Sequence, residues 1–448
     1  MLLIKKGTIV TSENVFVGDV LIDGEKIVEV GNTIKKKNVK TINAKGKYVL
    51  PGGIDSSVHI SQKKGPFACK DSFKEGTLEA ALGGTTTILN YVFPIRGSYK
   101  KAINENKENA ENNAAVDYSF HLAITNYSER GLNELENIMS MGITSFICYY
   151  TGSGMFLSFG ELYSIFNGIK KCGGIVGVYI GNGSLLEKRS KEAIKKGLKG
   201  IEHFLYSYPE NVEGFLAYSI LSLAKMVDIP IFLINVSTRN SLEKIKLFKD
   251  IGLNAYSDVP IHYLIFDSKK YEEKDFLKFV TLPPLRNESQ SQYLWNNLKT
   301  SKIDFISSDH IFVDENEQKK ILESSPQKLF GGIPGVRNRL EIFFSEGVKK
   351  RGIPITEMVK LTSTNIAKTF GLFPQKGTIS PNSDADIVIL DPEKEWSFEK
   401  SKTYPGSPYE NFKVTGKIEK VILRGEVIVE DGKYVSGKLS GKFIGRHI

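Results

Sequence analysis

A single histidine follows the first long apolar run of the chain, and its neighbours limit the chemistry it can do. The segment Pro51–Ile60 reads PGGIDSSVHI and comes directly after Tyr48-Val49-Leu50. Side chains two positions apart in a strand point to the same side, so Ser57 and His59 are expected to face one site at the carboxyl end of this strand. An imidazole in that place is either a metal ligand or a plain polar residue at the mouth of a barrel.

A carboxylate in a second polar segment is the other candidate for chemistry. Asp309 lies in Ser308-Asp309-His310, directly after an apolar run. It is suited either to act as a general base in a one-metal site or to hydrogen-bond to loop amides. If Asp309 points inward, alternation directs His310 away from the same site. Two further histidines, His121 and His203, have the character of structural residues, and His203 is expected to face solvent.

The middle of the chain alternates short apolar strands with amphipathic helices, which is typical of βα units and a parallel sheet. Helical patterns cover Leu135–Ser140, Gly160–Lys171, Val212–Val227 and Ser241–Lys249. Eight such units predict a closed (β/α)8 barrel of the TIM type, with an open doubly wound sheet as the alternative. No G-x-G-x-x-G segment follows a strand, so a dinucleotide-binding fold has little support. The eight predicted strands are Tyr48–Ile54, Thr85–Tyr91, Tyr118–Ile124, Ser145–Tyr149, Ile175–Tyr179, Ile231–Val236, Ala255–Asp258 and Ile303–Ser307.

The two ends of the chain predict a second, smaller unit. Near one end, Asp23-Gly24 separates two apolar runs, and Arg424-Gly425 does the same near the other end, so each reads as a hairpin. Together they predict one small β-sandwich built from residues 1–50 and 378–448, with the barrel at 51–377 between them. The polar, Gly- and Ser-rich stretch after about residue 395 is expected to include an extended tail that makes subunit contacts.

Composition excludes several classes of protein. Of the 448 residues, 41% are hydrophobic and 25% are charged, which is ordinary for a folded chain and unlike a disordered one. The net charge of +9 is spread out, which favours a solvated lysine surface over nucleic-acid binding. No run reaches the roughly 20 apolar residues that a membrane span needs. Three cysteines without CxxC spacing indicate a reducing compartment, so a cytoplasmic location is expected.

Motifs in order along almost the whole chain resemble those of the cyclic amidohydrolases, more closely the dihydropyrimidinase and hydantoinase branch. In that family the termini also form a sandwich beside a barrel, which is what the two ends of this chain predict. Each motif alone is modest, but their order and spacing together are specific. After the first strand they are Gly83-Gly84-Thr85-Thr86-Thr87, Asp117-Tyr118-Ser119-Phe120-His121, Gly142-Ile143-Thr144-Ser145-Phe146, Pro283-Pro284-Leu285-Arg286, Ser308-Asp309-His310, Gly332-Ile333-Pro334-Gly335-Val336, Leu361-Thr362-Ser363-Thr364-Asn365, Lys376-Gly377-Thr378-Ile379 and Ser383-Asp384-Ala385-Asp386.

The resemblance implies a metal site that this chain keeps only in part. Active members of the family hold two divalent metals with four histidines, a bridging carboxylated lysine and an aspartate, which together supply a hydroxide and a polarised carbonyl. Of these positions, His59 and Asp309 keep a usable ligand. The position of the family tyrosine that holds the substrate's oxyanion falls at Gly152. The other four ligand positions are replaced: three family histidines correspond to Ser57, Tyr179 and Asn235, and the bridging lysine corresponds to Ile147.

Two hypotheses follow from this loss. The first is a catalytically degenerate scaffold that forms a dimer or tetramer, as the resemblance implies, or pairs with an active hydantoinase-like enzyme, and that has no cofactor. The alternative is a working hydrolase of cyclic amides with one divalent metal, such as zinc, on His59 and Asp309. Tyr149 and Tyr150 are expected either to fill the space that the metals would take or to pack between barrel and helices. Cys148 is expected to face the helix layer.

Overall fold

The computed structural model describes residues 1–62, 68–94, 98–149, 157–179, 183–300, 302–324 and 329–447. In chain order, the strands of these residues are β1 Leu2–Val10, β2 Val15–Asp23, β3 Lys26–Gly31, β4 Lys40–Asn43, β5 Tyr48–Pro51, β6 Gly53–Val58, β7 Thr85–Val92, β8 Asp117–Ile124, β9 Ser145–Tyr149, β10 Ile175–Tyr179, β11 Ile231–Ile234, β12 Ala255–Pro260, β13 Phe305–Ser307, β14 Ile387–Ser397, β15 Lys413–Leu423, β16 Glu426–Glu430 and β17 Lys433–Tyr434.

The α-helices lie mostly between the strands β6 to β13. They are α1 Phe73–Leu82, α2 Tyr99–Ala110, α3 Glu129–Ser140, α4 Phe159–Lys171, α5 Gly183–Lys195, α6 Gly200–Ser207, α7 Glu210–Val227, α8 Arg239–Asp250, α9 His262–Ile265, α10 Glu288–Asn296, α11 Glu315–Ser324, α12 Arg339–Ile342, α13 Ile355–Val359 and α14 Asn365–Thr369. None of the helices described here is both long and apolar enough to cross a membrane.

Strands β6 to β13 form the predicted barrel. Each pairs in parallel with the next in chain order. The ring is completed where Val58, at the end of β6, bridges to His310, just beyond β13. Two backbone hydrogen bonds reinforce this junction, from His59 N to His310 O at 2.9 Å and from His310 N to Ser57 O at 3.2 Å. The predicted (β/α)8 barrel is therefore confirmed, and its closure joins the two segments that carry the candidate site residues.

One predicted strand proves to be two. The run Tyr48–Ile54 was expected to open the barrel, but Tyr48–Pro51 pairs with β1 and β14 in the other sheet, and the barrel strand is Gly53–Val58. The chain changes sheets at Gly52, where a Cβ atom would lie 2.0 Å from the hydroxyl of Thr86. Only glycine fits so close an approach. The apolar pattern gave no sign of this break because both halves are buried.

Both ends of the chain build the second sheet, as predicted. Its strand order is β17-β16-β15-β14-β5-β1-β2-β3, and β4 pairs with β1. Both predicted hairpins are present, as β2–β3 and β15–β16. The proposed division of the chain at residues 50 and 378 stays a prediction, and β5 crosses the first of these boundaries.

The segment 441–447 lies against the amino-terminal end of the chain's own barrel. Backbone hydrogen bonds join Gly441 N to Ala114 O at 2.8 Å and Ile444 N to Tyr118 O at 2.8 Å. Arg446 is fully buried there and donates to the hydroxyls of Ser119 and Ser145 and to the carbonyl of Phe120. The tail expected after residue 395 is thus partly strand and partly a seal on this barrel, and subunit contacts by it stay a prediction.

Candidate active site

Three of the predicted site residues meet at the carboxyl end of the barrel. His59 Nε2 lies 3.7 Å from Asp309 Oδ1, and the Ser57 hydroxyl donates to the same carboxylate oxygen over 3.4 Å. Ser57 also hydrogen-bonds with the phenol of Tyr91 at 3.1 Å. All four side chains are buried. His59 and Asp309, which the sequence analysis singled out as the two candidate ligands, therefore lie side by side although 250 positions separate them in the chain.

Asn235 completes the arrangement. Its side-chain amide donates to Asp309 Oδ2 at 2.8 Å and to the carbonyl of Leu282 at 3.0 Å. Both Asn235 and Asp309 have left-handed backbone, with φ of 60° and 45°. Each lies just past the end of a barrel strand, and this backbone turns its side chain inward at a conformational cost. Within the described residues, Asp309 thus hydrogen-bonds to side chains and not to the loop amides that the sequence offered as an alternative.

Burial sets the protonation of both key groups. It raises the pKa of the Asp309 carboxyl to about 7, although hydrogen bonds from Asn235 and Ser57 act in the opposite direction. Burial likewise lowers the pKa of His59 to about 3, so this imidazole is neutral at physiological pH. The close approach of His59 and Asp309 is therefore not an ion pair. A neutral imidazole and a carboxyl that titrates near 7 suit metal binding and proton transfer, respectively.

Aromatic side chains line the barrel interior around these residues. The Tyr91 ring stacks on His59 with centroids 4.2 Å apart, and Tyr149 stacks on Tyr179 at 6.0 Å. Ile147 and Tyr149 belong to the interior apolar cluster, whereas Cys148 packs in the cluster outside the barrel. Tyr149 therefore fills interior space instead of packing against the helices, and the placement predicted for Cys148 is confirmed.

The loop that carries Asn235 is held by a buried acid on α7. Glu213 Oε1 accepts hydrogen bonds from the backbone amides of Ser237 at 3.0 Å and Thr238 at 3.1 Å. Its other oxygen pairs with Arg286 Nη2 at 3.0 Å. Because the amides belong to the loop that follows β11, Glu213 fixes the direction in which Asn235 leaves the strand.

A second buried group of polar side chains lies just outside the site. Asp71 accepts hydrogen bonds from the Cys69 thiol at 2.7 Å, from His310 Nε2 at 2.8 Å and from the Tyr404 phenol at 2.9 Å. Val336 N–H donates to His310 Nδ1 at 3.4 Å, so the ring proton is on Nε2. A metal ion at Nε2 would have to displace that proton and reverse the tautomer. The hydrogen bonds at both ring nitrogens therefore hold the His310 side chain so that it points away from Asp309, as the alternation of side chains along a strand predicted.

Some predictions from the sequence need correction or cannot be placed. His203 does not face solvent, because it is buried and hydrogen-bonds with Ser190 Oγ at 2.9 Å. His121 is structural as predicted and contacts Ser145 Oγ at 2.5 Å. Gly152 and Tyr150 lie outside the described residues. Tyr91 was missed as a site residue, although its place two positions after the inward-facing Leu89 marks it as facing the same interior.

The chain matches the model of the "Amidohydrolase family" over residues 48–428. It is 35% identical to a D-hydantoinase of Geobacillus stearothermophilus, over 99% of this chain and 96% of that one. The structure of the dihydropyrimidinase from Brevibacillus agri NCHU1002 superposes with a TM-score of 0.95 at 32% identity, covering 99% of this chain and 98% of that one. The D-hydantoinase (dihydropyrimidinase) from a Thermus species gives a TM-score of 0.95 at 30% identity, over 100% and 99% of the two chains.

These matches contradict the expectation that the protein has no cofactor, because the matched family is one of metal-dependent hydrolases. The residues present fit one ion. His59 Nε2 and Asp309 Oδ1 are 3.7 Å apart, close to the separation of two ligands that are each about 2.1 Å from a shared ion. Asn235 Oδ1 is buried without a hydrogen-bond partner among the described residues. The residues do not fit two bridged ions, since Ile147 has no amine to carboxylate.

Proposed function

Because this chain belongs to the amidohydrolase family, we propose that it is a metal-dependent hydrolase of cyclic amides, with hydantoins and dihydropyrimidines as the substrate class. We further propose that it works with a single divalent ion held by His59 and Asp309. The substrate class rests on the names of its relatives, D-hydantoinase and dihydropyrimidinase. The single ion rests on the residues of this chain.

The observation that carries the proposal is the approach of His59 to Asp309. A neutral imidazole and a carboxylate oxygen, 3.7 Å apart and both buried, offer the nitrogen and oxygen donors that zinc and similar ions take. Ser57 and Asn235 lie beside them as neutral oxygen donors, which bind such ions more weakly than histidines do. We therefore expect weaker metal binding than four histidines would give.

The residues divide the work of hydrolysis between them. Water adds to the amide carbonyl, the ring C–N bond breaks, and the leaving nitrogen takes a proton. Asp309, with a pKa of about 7, is suited to accept the proton from water and to return it to that nitrogen. Asn235 fixes Asp309 Oδ2 while Oδ1 stays on the His59 side. A divalent ion, when bound, lowers the pKa of water and polarises the carbonyl.

The test is hydrolysis of hydantoin and dihydrouracil by protein loaded in turn with zinc, manganese, cobalt or nickel, with the ring-opened product measured by chromatography. We expect turnover with at least one ion, and a loss of about 100-fold or more in Asp309→Asn, where the proton acceptor is gone. Asp314→Asn is the matched control, because Asp314 is a loop acid that pairs with Lys70 outside the site. Metal-loaded protein without turnover, or full activity in Asp309→Asn, would refute the proposal.

A second candidate function is the non-catalytic scaffold or partner subunit. The observation that favours it is the interior position of Ile147 and Tyr179, because the resemblance assigns metal ligands to both positions. Tyr149 adds further aromatic bulk beside them. It predicts metal binding without turnover on any cyclic amide, and co-purification with a hydantoinase-like enzyme. The same panel of substrates therefore separates the two candidates.

The cytoplasmic location belongs to the same proposal. Cys69 and Cys148 and Cys172 are all free thiols in the structure, which suits a reducing compartment. Fractionation of the source cells, with the protein found outside the cytoplasm, would contradict it.

A further inference from the structure

A buried amide beside the site lacks a hydrogen-bond partner at both of its polar atoms. Gln62 comes three positions after His59, on the loop that follows β6, and it is only 8% exposed. Neither its Oε1 nor its Nε2 atom has a hydrogen-bond partner among the described residues. Buried polar side chains are nearly always paired, so an amide with two unpaired atoms calls for a ligand that pairs with them.

The backbone around Gln62 is fixed, and its side chain lies beside His59. Cys69 N donates to the carbonyl of Gln62 at 2.8 Å, and Ser61 N donates to the carbonyl of Asp71 at 3.0 Å. Ser61 has left-handed backbone, with φ of 61°, which turns the chain directly before Gln62. Burial lowers the pKa of His59 to about 3, and the Gln62 amide acts in the opposite direction. The amide is therefore held next to a candidate metal ligand.

The chemistry of the amide limits the class of ligand that it can bind. Oε1 accepts hydrogen bonds and the NH2 group donates them. A metal ion would bind Oε1 alone and leave the NH2 group unpaired. A ring N–H next to a ring C=O pairs with both atoms at once, in the way that glutamine binds the edge of adenine. The two unpaired atoms of Gln62 therefore fit an edge of a cyclic amide better than they fit an ion.

Hydantoin and dihydrouracil leave one such edge unused in the reaction. Each ring contains a ureide, N1–H, C2=O and N3–H, followed by the amide carbonyl C4=O. Water attacks C4, because C2 receives electron density from two nitrogens and is less electrophilic. The N3–C4 bond then breaks at Asp309, and N1–H with C2=O remains. We propose that Gln62 binds N1–H and C2=O and so selects rings that contain a ureide, an inference that rests on the proposed function and names its substrate class more closely.

The first experiment compares hydantoin with succinimide, which has a CH2 group in place of N1–H. A site with a buried polar group rejects an analogue that leaves this group unpaired. We expect the ratio of kcat/KM for hydantoin to that for succinimide to fall by roughly 10-fold or more in Gln62→Met, because two hydrogen bonds are lost. An unchanged ratio would overturn the inference. Absence of turnover on both rings would refute the proposed function, and the next measurement, which needs no turnover, decides the inference alone.

The second experiment measures binding of a ring that cannot be hydrolysed in this way. Ethyleneurea has the N–H and C=O edge of a ureide in a five-membered ring but lacks the amide carbonyl, and cyclopentanone has a ring carbonyl without an N–H. Ligand-observed NMR with the zinc-loaded full chain gives both affinities. We expect Gln62→Met to bind ethyleneurea roughly 10-fold more weakly than the wild type does and cyclopentanone equally well. Absence of ethyleneurea binding to the wild type, or equal affinity in the variant, would overturn the inference.

Stability and metal content separate ligand binding from a structural role. Gln318→Met is the matched control, because Gln318 is also buried but donates to the carbonyl of Phe330 at 3.1 Å. This control should lower the free energy of unfolding and leave ethyleneurea binding unchanged. Gln62→Met removes only unpaired polar atoms, so its stability should equal or exceed that of the wild type, with the same zinc content. Lower stability or lower zinc content in Gln62→Met would assign the amide to the fold or to the ion and overturn the inference.

Discussion

Asp309 and Asn235 show how two strained residues can define a site. Left-handed backbone at a residue other than glycine costs of order 1–3 kcal/mol, and it persists only where surrounding contacts impose it. Here both residues have it, with φ of 45° and 60°, and their side chains bond to each other. Their mutual hydrogen bond uses only the NH2 group of Asn235, so the amide can position Asp309 while its Oδ1 stays available to an ion.

Removing that amide should change the titration of Asp309. In Asn235→Gly the left-handed backbone is kept, but the carboxylate loses a donor. A hydrogen bond to a charged group is worth about 1.5 kcal/mol or more, so the pKa of Asp309 should rise by about one pH unit above its value near 7. Infrared difference spectra against Asp309→Asn would measure it. Asn382→Gly, at φ of 72° on the surface, is the control and should leave the pKa unchanged.

A histidine placed at position 57 should not create a site for two metal ions. In Ser57→His we expect metal content of one equivalent or less after loading with zinc and bicarbonate, because Ile147 still offers no amine for a bridge. Elemental analysis beside the wild type gives the answer. Two equivalents in the single variant would show that a bridging lysine is not needed here.

At the scale of elements, α7 connects the loop that carries Asn235 with the surface of the molecule. Its inner face carries Glu213, which accepts hydrogen bonds from the loop after β11 and pairs with Arg286. Its outer face exposes Phe215, Tyr218 and Met226. The buried acid binds the loop after β11, Arg286 and the Ser241 hydroxyl in the first turn of α8, and so holds a strand end and two helices in fixed relation. The helix pattern in the sequence predicted the element, but not this use of one of its residues.

Loss of Glu213 should be costly. Glu213→Ala leaves Arg286 buried without its partner, and breaking such a pair costs about 3–5 kcal/mol in the free energy of unfolding. Urea unfolding followed by fluorescence would measure the change. Glu210→Ala, on the same helix but half-buried and hydrogen-bonded only to the side-chain amides of Asn287 and Gln290, should cost less than about 2 kcal/mol. Equal effects of the two substitutions would mean that Glu213 is not a structural anchor.

The short helix α9 carries a buried imidazole that makes stability depend on pH. Burial lowers the pKa of His262 from 6.5 to about 3, and its Nε2 contacts Thr281 Oγ1 at 3.2 Å. The unfolded chain takes up this proton below pH 6.5 and the folded chain does not, so stability falls as pH drops from 6.5 to 3. The loss is at most about 5 kcal/mol.

The comparison of His262→Gln with His447→Gln isolates this effect. In His262→Gln the fall in stability over that pH range should be smaller, because no buried imidazole is left to protonate. His447 is exposed, so its substitution should leave the pH dependence as in the wild type. The urea concentration at the unfolding midpoint, measured at several pH values between 6.5 and 3, gives the pH dependence of stability for each protein. The same pH dependence in wild type and His262→Gln would contradict the prediction.

The molecule as a whole depends on segments that are distant in sequence. The segment 441–447 closes one end of the barrel, and strands from both ends of the chain share one sheet. At Gly142, with φ of +83°, a Cβ atom would meet Gly445 Cα at 2.5 Å. The contact of this segment with the barrel therefore depends on a glycine that lies just over 300 positions earlier in the chain.

Two glycine substitutions isolate the strength of this seal. Gly142→Ala carries both the cost of left-handed backbone and the clash with the segment. Gly173→Ala carries only the first, because φ is +77° and nothing lies within 4 Å of the added atom. We expect Gly142→Ala to lower the free energy of unfolding by about 1–3 kcal/mol more than Gly173→Ala does. Limited proteolysis should also cut near residue 440 faster, and identical behaviour of the two variants would mean that the seal adds nothing.

Periodicity and motif order were enough to predict the barrel, the shared sheet and the meeting of His59 with Asp309. They could not show the break at Gly52, because a buried run looks the same whether it serves one sheet or two. They could not show that Asn235 bonds to Asp309 or that His203 is buried, since both depend on contacts between residues distant in sequence. The replacement of four family ligands stays a prediction, and the inference of no metal did not follow from it, because two donors can still share one ion.

The shared sheet also sets an order for biosynthesis. Strand β5 lies between β1 and β14, so the ribosome must complete more than 380 residues before the first strands can find all their neighbours. The barrel's amino-terminal end stays open until residues 441–447 have left the exit tunnel. Nascent chains therefore carry an unpaired edge of β5 and an uncovered barrel floor throughout elongation, which is the interval when chaperones would have most to protect.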